Sequence, residues 1–407
     1  MNSADQTPLR RRLGTADAVV IGLGSMIGAG VFVVFGPAAA AAGPGLLLGL
    51  AAAAVVAYCN ATSSARLAAR YPQSGGTYVY GRDRLGEFWG YLAGWSFVVG
   101  KMASCAAMAL TVGLYVWPAQ AHAVAVAAVA GLTTVNYRGI QKSALLTRVI
   151  VTVALAVLAG AIAAIALSGR TDLGRITLIG GTPAGILQAA GLLFFAFAGY
   201  ARIATLGEEV RDPAHTIPRA IRLSLAVTLA VYATLAVALM AILGPSLSTS
   251  AAPLADAVRA AGAGWLEPVV RVGAAVAALG SLLSLILGVS RTGLAMARDG
   301  HLPPALAVVH PRFAVPHRAE VTVGVIVAVL AALADVRAAI GFSSFAVLVY
   351  YAIANASAWT LPGRDLIPVG GLTGCLVLAA CLPLPSVIAG AAVLAVGALV
   401  YTVMRLR

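Results

Sequence analysis

Long runs of apolar residues without charges are the feature that most limits what this chain can fold into. The hydrocarbon core of a bilayer is about 30 Å thick, and a helix of about 20 mostly apolar residues crosses it. The 407 residues contain twelve such runs, which are rich in alanine, valine, leucine and isoleucine. Because the runs show no period-2 alternation, they predict helices and not the strands of a membrane barrel. The predicted spans are 16–41, 45–65, 86–117, 119–136, 145–168, 184–207, 219–243, 265–295, 320–335, 338–360, 366–383 and 386–404.

The composition excludes a water-soluble fold. Hydrophobic residues make up 61% of the chain and charged residues only 10%. Soluble domains carry about 25% charged residues and about 45–50% apolar residues. We therefore predict an all-α integral membrane protein that crosses the lipid bilayer repeatedly.

The positive charges are distributed unevenly between the loops. A formal charge of +13 could indicate a nucleic-acid partner. When alternate loops are assigned to alternate sides of the membrane, however, 20 of the 27 basic residues fall on one side and 5 on the other. Loops rich in lysine and arginine face the cytoplasm. We therefore predict a multi-pass protein of the cell (plasma) membrane with cytoplasmic N- and C-termini and no nucleic-acid partner.

Two predicted spans, the first and the sixth, contain segments that disfavour a continuous helix. The first has Gly22, Gly24, Gly28 and Gly30 within nine residues, and the sixth contains Phe-Phe-Ala-Phe-Ala-Gly-Tyr at 194–200. A glycine costs about 1 kcal/mol in a helix interior relative to alanine, so the cluster favours an interruption. Close packing of neighbouring helices is the alternative explanation for small residues at spacing four.

The positions of these two spans favour the interruption. They lie five spans apart, where a repeat of five helices in inverted topology would place two equivalent broken helices. We therefore predict one transmembrane domain over residues 1–407. Repeat one covers about 16–168 and repeat two about 184–360, with two extra helices at about 366–404.

Four short motifs follow one another along nearly the whole chain. They are Gly-Ser-Met-Ile-Gly-Ala-Gly-Val-Phe at 24–32, Ser-Gly-Gly-Thr-Tyr at 74–78, the 194–199 segment followed by Gly-Glu-Glu-Val-Arg-Asp-Pro at 207–213, and Arg-Asp-Gly at 298–300. In this order they resemble the permeases of the amino acid-polyamine-organocation (APC) superfamily. The resemblance is to the bacterial amino-acid permease branch, close to the cationic amino acid transporter type.

This resemblance implies a LeuT-type fold of 12 transmembrane helices with a 5+5 inverted repeat, in which helices 1 and 6 unwind around the substrate. Amide groups at the N-terminus of a half-helix can bind a carboxylate, and unwound carbonyl groups can bind an ammonium group. An α-amino acid carries both groups. The expected small-molecule partner is therefore an amino acid, and neither a cofactor nor a metal is expected.

The resemblance also assigns residues to the substrate site. The amides of residues 28–30 would hold the carboxylate, and the carbonyls of Met26, Phe195 and Ala198 would take the amino group. Phe195 stands where the family often has a gating aromatic; a phenylalanine that faces lipid or packs against helices is the alternative. The full predicted set is Ser25, Met26, Ile27, Gly28, Ala29, Gly30, Phe195, Ala196, Ala198 and Gly199.

Charges within the spans disfavour a cationic substrate. A permease for arginine or lysine needs a carboxylate near its site, yet the core of every predicted span lacks Asp and Glu. Lys101 instead lies near the centre of the third span, about 22 Å from its cytoplasmic end at ~1.5 Å per residue. A buried lysine can replace a coupling cation, so we hypothesise that Lys101 binds and releases the coupled proton. The alternative is a lysine whose stem reaches the interface.

Charges also cluster after the break in the sixth span. Arg202 is predicted to lie in the inner vestibule, either paired with an acid or in contact with an anionic substrate side chain. Glu208, Glu209 and Arg211 are predicted to form a cytoplasmic gate, because salt bridges there can favour one access state. Solvated charges without a role are the alternative for these three residues.

These observations favour a secondary transporter that moves a neutral, zwitterionic amino acid by alternating access, by proton symport or by exchange. A cationic amino acid or polyamine permease is the alternative, as is a non-transporting sensor or subunit with the same fold. A channel would show a filter sequence, and an enzyme would show an intramembrane cluster of catalytic side chains. Neither pattern occurs in the sequence, and we therefore expect no enzyme activity.

Overall fold

In this computed structural model, the described residues are 13–71, 75–139, 144–176, 180–200, 203, 210–363 and 365–405. Within these ranges the regular elements are helices joined by turns and short loops, and one isolated backbone bridge joins Leu13 and Val210. The α-helices are α1 Thr15–Met26, α2 Gly30–Val33, α3 Phe35–Ala42, α4 Leu46–Arg70, α5 Thr77–Leu85, α6 Glu87–Val116, α7 Ala121–Tyr137, α8 Ala144–Leu167, α9 Pro183–Phe197, α10 Pro213–Leu243, α11 Pro253–Ala260, α12 Glu267–Arg298, α13 His317–Leu333, α14 Val336–Trp359, α15 Ile367–Cys381 and α16 Leu384–Arg405.

The helix lengths fit an integral membrane protein. Ten helical segments of the described part are long and apolar enough to cross a membrane. The predicted spans 320–335 and 366–383 correspond to α13 and α15, which have 17 and 15 residues. Both are shorter than the ~20 residues that a perpendicular crossing requires. The count of twelve spans therefore stays a prediction.

Helices α6 and α14 lie at the centre of the bundle, and the helices at its edge expose apolar residues. In the most apolar windows of α6 and α14, 72% of the residues are buried, against 17% in α16. Gly100 permits close contact between the two central helices, because a Cβ added there would lie 2.8 Å from the Cβ of Ala346. The hydroxyls of Ser104 and Ser343 are also hydrogen-bonded at 2.6 Å. Small residues and interhelical hydrogen bonds are the usual means of helix association in lipid.

A buried polar network joins α4, α14 and α15. Asn355 donates a hydrogen bond to the side-chain oxygen of Asn60 at 2.6 Å, and Ser63 donates one to Asn355 at 2.7 Å. The thiol of Cys375 lies 3.3 Å from the same Asn60 oxygen. Asn60, Ser63 and Asn355 are fully buried. Because a buried polar group without a partner is costly in an apolar environment, this network fixes how the three helices pack.

Replacing Asn355 by alanine is expected to lower the free energy of unfolding by about 1–3 kcal/mol, because it leaves Asn60 and Ser63 without their shared partner. Thermal unfolding in detergent measures the change. Ser357→Ala is the matched control, since this hydroxyl on the same helix bonds only its own backbone at Ile353. Equal unfolding temperatures for the two variants would contradict a stabilising role of the network.

Candidate functional site

The first predicted span is interrupted at its glycine-rich segment. Helix α1 ends at Met26 and α2 begins at Gly30. Ile27 has φ −85° and ψ 57°, outside the helical region, and its amide still donates to Leu23 at 2.6 Å. The interruption is buried, since Met26 and Ile27 are each 1% exposed. The chain therefore places non-helical backbone in the interior of the protein.

The interruption leaves amide groups without acceptors. The amides of Gly28 and Ala29 donate no hydrogen bond to any acceptor in the described part of the chain. Helices α2 and α3 meet at Val34, whose backbone is also helical (φ −72°, ψ −27°), so the two form a nearly continuous helical segment over 30–42. These amides thus precede a helical segment, where a negative group is favoured.

The sixth predicted span also changes conformation at its motif. Helix α9 ends at Phe197 and is followed by a 3₁₀ turn over Ala198–Tyr200. Beyond this turn only Ile203 is described before residue 210. Phe195 is 9% exposed, and its ring lies 3.4 Å from where a Gly30 Cβ would stand. Phe195 therefore faces the first interruption and not the lipid.

The two altered segments touch each other through glycines. A Cβ at Gly199 would collide with the carbonyl oxygen of Ser25 and would lie 2.7 Å from the amide nitrogen of Met26. A Cβ at Gly30 would lie 3.0 Å from the Cα of Ala196. Position 199 thus needs glycine for the backbones to approach, and a Cβ at Gly30 would make an unusually tight contact. The structure brings the two halves of the predicted substrate set into direct contact.

Two tyrosines donate hydrogen bonds to carbonyls of this region. The hydroxyl of Tyr232, in α10, lies 2.6 Å from the carbonyl oxygen of Met26 and 3.2 Å from that of Ala196. The hydroxyl of Tyr351, in α14, donates to Ala198 at 3.2 Å. Neither tyrosine was predicted from the sequence. The only signal was a tyrosine in the middle of an apolar span, which alone does not reveal what the hydroxyl contacts.

Helix α12 contacts the interrupted segment through Ser281. The hydroxyl of Ser281 lies 3.4 Å from the carbonyl oxygen of Gly24. A Cβ added to Gly28 would collide with this hydroxyl and would lie 3.0 Å from the Cβ of Ser281. Ser25 does not point to this contact, because its hydroxyl donates to Ile21 of its own helix at 3.0 Å.

Lys101 occupies the middle of the 30-residue helix α6 and is 8% exposed. Its ammonium group makes no ion pair or hydrogen bond with any residue that the structure describes. Met108, seven residues further along α6, packs against the cluster that contains Ala29. Seven residues are about two helical turns, so Lys101 lies on the same side of α6, about 10 Å along the axis. Lys101 is therefore buried on this side of α6, and no contact between it and the interrupted segment is found among the described residues.

Of the residues predicted to form the inner vestibule and the cytoplasmic gate, the structure describes only Arg211. Arg202, Glu208 and Glu209 lie outside the described residues. The backbone amide of Arg211 donates to the carbonyl oxygen of Leu13 at 2.9 Å. The chain before α10 is therefore tied to the chain before α1.

One buried acid was not predicted from the sequence. Glu320, in the first turn of α13, is fully buried. One carboxylate oxygen lies 3.3 Å from the hydroxyl of Ser290, and the other has no hydrogen-bond partner in the described part of the chain. The predicted ninth span begins at this residue. The prediction that the spans lack Asp and Glu concerned only their cores, so it did not cover Glu320. Because α13 packs against α12, Glu320 is buried although it lies at the end of a helix.

A cavity of about 260 Å³ adjoins the 30–42 segment. Its lining includes Val33 and Pro37 from this segment, the N-cap residue Asp335 before α14, and Arg337 in its first turn. Arg337 is held there by a 2.8 Å hydrogen bond to the carbonyl oxygen of Ser248. This cavity lies beside the interrupted helix and is separate from the contact between Gly28 and Ser281.

These features define a polytopic membrane protein with a buried helix interruption, a form typical of transporters that bind their substrate inside the bilayer. A family model described as amino acid permease matches residues 13–404. The chain therefore belongs to the amino acid permease family, and the resemblance to the APC superfamily is confirmed. Family membership also confirms that the protein is an integral membrane protein of a transporter family.

Curated relatives agree with this assignment. An uncharacterized transporter of Mycobacterium tuberculosis is 72% identical over 98% of this chain and 92% of its own length. The branched-chain amino acid permease BcaP of Bacillus subtilis is 28% identical over 81% of this chain and 76% of its own. Cationic amino acid transporter 4 of Mus musculus is 31% identical over 86% of this chain and 59% of its own.

Proposed function

We propose that the protein is a secondary active transporter that moves a neutral, zwitterionic α-amino acid across the cell membrane by alternating access. The observation that carries the proposal is the buried interruption between Met26 and Gly30, in contact with the turn after Phe197. The amides of Gly28 and Ala29, without acceptors in the described part, complement a carboxylate. The carbonyls of Met26 and Ala198 complement an ammonium group.

The choice of a neutral substrate rests on the side chains around the two interruptions. The described residues that meet there are glycine, alanine, serine, methionine, phenylalanine and tyrosine, and none of them carries a charge. The buried charge on α6, Lys101, is positive and would repel a second cationic group. The name of the Bacillus relative, a branched-chain amino acid permease, supports the same choice.

A cationic substrate is the second candidate, and a specific observation favours it. Several relatives that align with more than four-fifths of this chain are named cationic amino acid transporters. Such a substrate needs an acid close to its side chain. Glu208 and Glu209 are acids near the end of the sixth predicted span, and they lie outside the described residues. The contacts of the described residues therefore support the neutral substrate, and the names of these relatives support the cationic one.

The coupling and the architecture complete the proposal. A buried lysine without a described partner can take the place of a coupling cation, which supports Lys101 as the group that binds the coupled proton. Exchange of one amino acid for another is the alternative to proton symport. We further propose a LeuT-type fold of twelve spans in one domain, residing in the plasma membrane with both termini in the cytoplasm.

Thermal unfolding of the purified protein tests the proposal against the twenty common L-amino acids and the polyamines. A ligand that binds only the folded state stabilises it, by about 2.7 kcal/mol at a concentration 100-fold above its Kd. We expect the unfolding temperature to rise with neutral amino acids. A rise only with arginine, lysine or polyamines would establish the second candidate, and no rise with any of them would contradict both.

A further inference from the structure

Glu320 is a buried acid between α12 and α13 that the proposed transport mechanism does not use. It lies in the first turn of α13 and is fully buried. One side-chain oxygen faces Ser290 of α12 at 3.3 Å, and the other has no hydrogen-bond partner in the described part of the chain. An ionised carboxyl group that is cut off from water needs a cation or several hydrogen-bond donors. The surroundings of Glu320 therefore decide whether it carries a charge or a proton.

No cation forms an ion pair with Glu320 among the residues that the structure describes. Helices α6, α7 and α12 and the 3₁₀ turn Pro304–Ala307 pack against α13. Within these elements, Arg291 of α12 is the charged residue whose field reaches Glu320, and it is exposed. Amides at the start of a helix can also stabilise a negative charge, but none in the described part donates to the Glu320 side chain. The ionised form of Glu320 is thus poorly stabilised.

Two histidines stand near the start of α13 without pairing with the acid. His317 lies three residues before Glu320, on the adjoining face of the helix. Its ring contacts those of Tyr137 in α7 and His310 in the preceding loop. The Nδ1 atom of His317 is buried and, within the described part of the chain, has no hydrogen-bond partner. Since neither imidazole forms an ion pair with Glu320, neither neutralises it.

The hydroxyl of Ser290 indicates where a proton lies. A serine hydroxyl has a single proton to donate and accepts through its lone pairs. Ser290 lies 3.0 Å from the carbonyl oxygen of Leu287 and 3.3 Å from Glu320. The shorter contact assigns the serine proton to Leu287. The serine oxygen therefore turns a lone pair to Glu320, which a protonated carboxyl group matches and an ionised one does not.

The length of this contact also differs from that of hydroxyl–carboxylate pairs elsewhere in the protein. A hydroxyl that donates to an ionised carboxylate approaches it to about 2.5–2.7 Å. Ser250 and Asp256 are 2.5 Å apart, and Tyr78 and Asp299 are 2.6 Å apart. Both of these acids also pair with an arginine, as ionised acids do. The longer contact of Glu320 is not of this charged kind, and it fits a neutral acid.

We propose that Glu320 and Ser290 form a proton-binding site, in which Glu320 carries a proton whenever α13 packs against α12. The site is separate from Lys101, and the inference does not depend on the proposed function or on which substrate is moved. Loss of the proton would leave a buried charge beside one weak donor. The proton can therefore leave only when the two helices separate or water reaches the acid, so their packing is linked to the pH of the compartment that this end of α13 faces.

Glu320→Gln tests the inference, because glutamine has the shape of the protonated acid, donates an N–H in place of its O–H and carries no charge. The wild type should lose stability as the pH rises, since its folded state holds a proton that the unfolded state releases. Glu320→Gln should lack this loss. Its unfolding temperature relative to that of the wild type should rise by at least about 2 °C between about pH 5 and about pH 9. Thermal unfolding in detergent measures the difference.

Glu267→Gln is the matched control. Glu267 also lies in the first turn of a helix, but its carboxylate pairs with Arg259 at 2.6 Å and with Arg271 at 2.8 Å. Because these two pairs keep Glu267 ionised throughout this pH range, its replacement should lower the unfolding temperature by the same amount at every pH.

Infrared spectroscopy detects the proton itself. At neutral pH the wild type and Glu267→Gln should show a carboxylic-acid C=O stretch that Glu320→Gln lacks. Equal spectra of wild type and Glu320→Gln in this region would overturn the inference, as would equal pH dependence of their unfolding temperatures. A Glu320→Gln protein that does not fold where the wild type does would also overturn it, because the folded state would then require the charged acid. None of these results bears on the proposed amino-acid site.

Discussion

Gly28→Leu is expected to abolish amino-acid uptake, with a rate at least ~100-fold below that of the wild type. A Cβ at Gly28 already meets Ser281 of α12. The remaining leucine carbons would fill the space in front of the amides of Gly28 and Ala29, where the carboxylate is proposed to bind. A loss of about 2.7 kcal/mol of binding free energy corresponds to this factor. Uptake into proteoliposomes of the amino acid that stabilises the wild type measures the effect.

Gly160→Leu is the control for this substitution. Gly160 lies in α8, and a Cβ there would meet no described atom within 4 Å. The same change of residue type in a membrane helix should therefore leave uptake within about twofold of the wild type. Gly28→Leu protein that folds and transports normally would remove the interrupted segment as the substrate site.

Lys101→Ala is expected to abolish the acceleration of uptake by an inward proton gradient while binding of the amino acid is partly retained. The reason is that Lys101 is buried in the middle of α6 and its ammonium group makes no ion pair within the described part of the chain. Uptake into proteoliposomes at several external pH values, with and without a gradient, measures this dependence.

Ser96→Ala controls for a change in the packing of α6. Ser96 is buried on the same helix, and its hydroxyl donates to the carbonyl oxygen of Leu92 of that helix at 2.6 Å. Its replacement should keep the pH dependence of uptake. If Lys101→Ala retained the pH dependence of the wild type, the coupling role of this lysine would be wrong, although the substrate site would be unaffected.

Several features could be predicted because they depend only on short stretches of the sequence. The helical spans follow from the length of charge-free runs, and the interruption before Gly30 follows from the cost of glycine in a helix. The ordered motifs identified the family, which the match to residues 13–404 confirms. The two halves of the candidate site could be located from such local signals, because each half lies within one short segment.

Contacts between distant segments could not be predicted in this way. Tyr232 lies 206 positions from Met26, and nothing local indicates that its hydroxyl reaches that carbonyl. Asn60 and Asn355 are 295 positions apart, and each alone looks like an ordinary polar residue in a span. Glu320 was overlooked because its burial results from the packing of α13 and not from its place in a hydrophobic run. Side-chain partners require the tertiary structure, which a periodic pattern does not encode.

The most direct test of the central claim is an experimental structure of the protein with the stabilising amino acid bound. We predict that the carboxylate lies within about 3.2 Å of the amide nitrogens at 28–30. The ammonium group should lie within the same distance of the carbonyl oxygens of Met26 and Ala198. An amino acid found only in the cavity between Pro37 and Arg337, with the interrupted segment unoccupied, would contradict the claim.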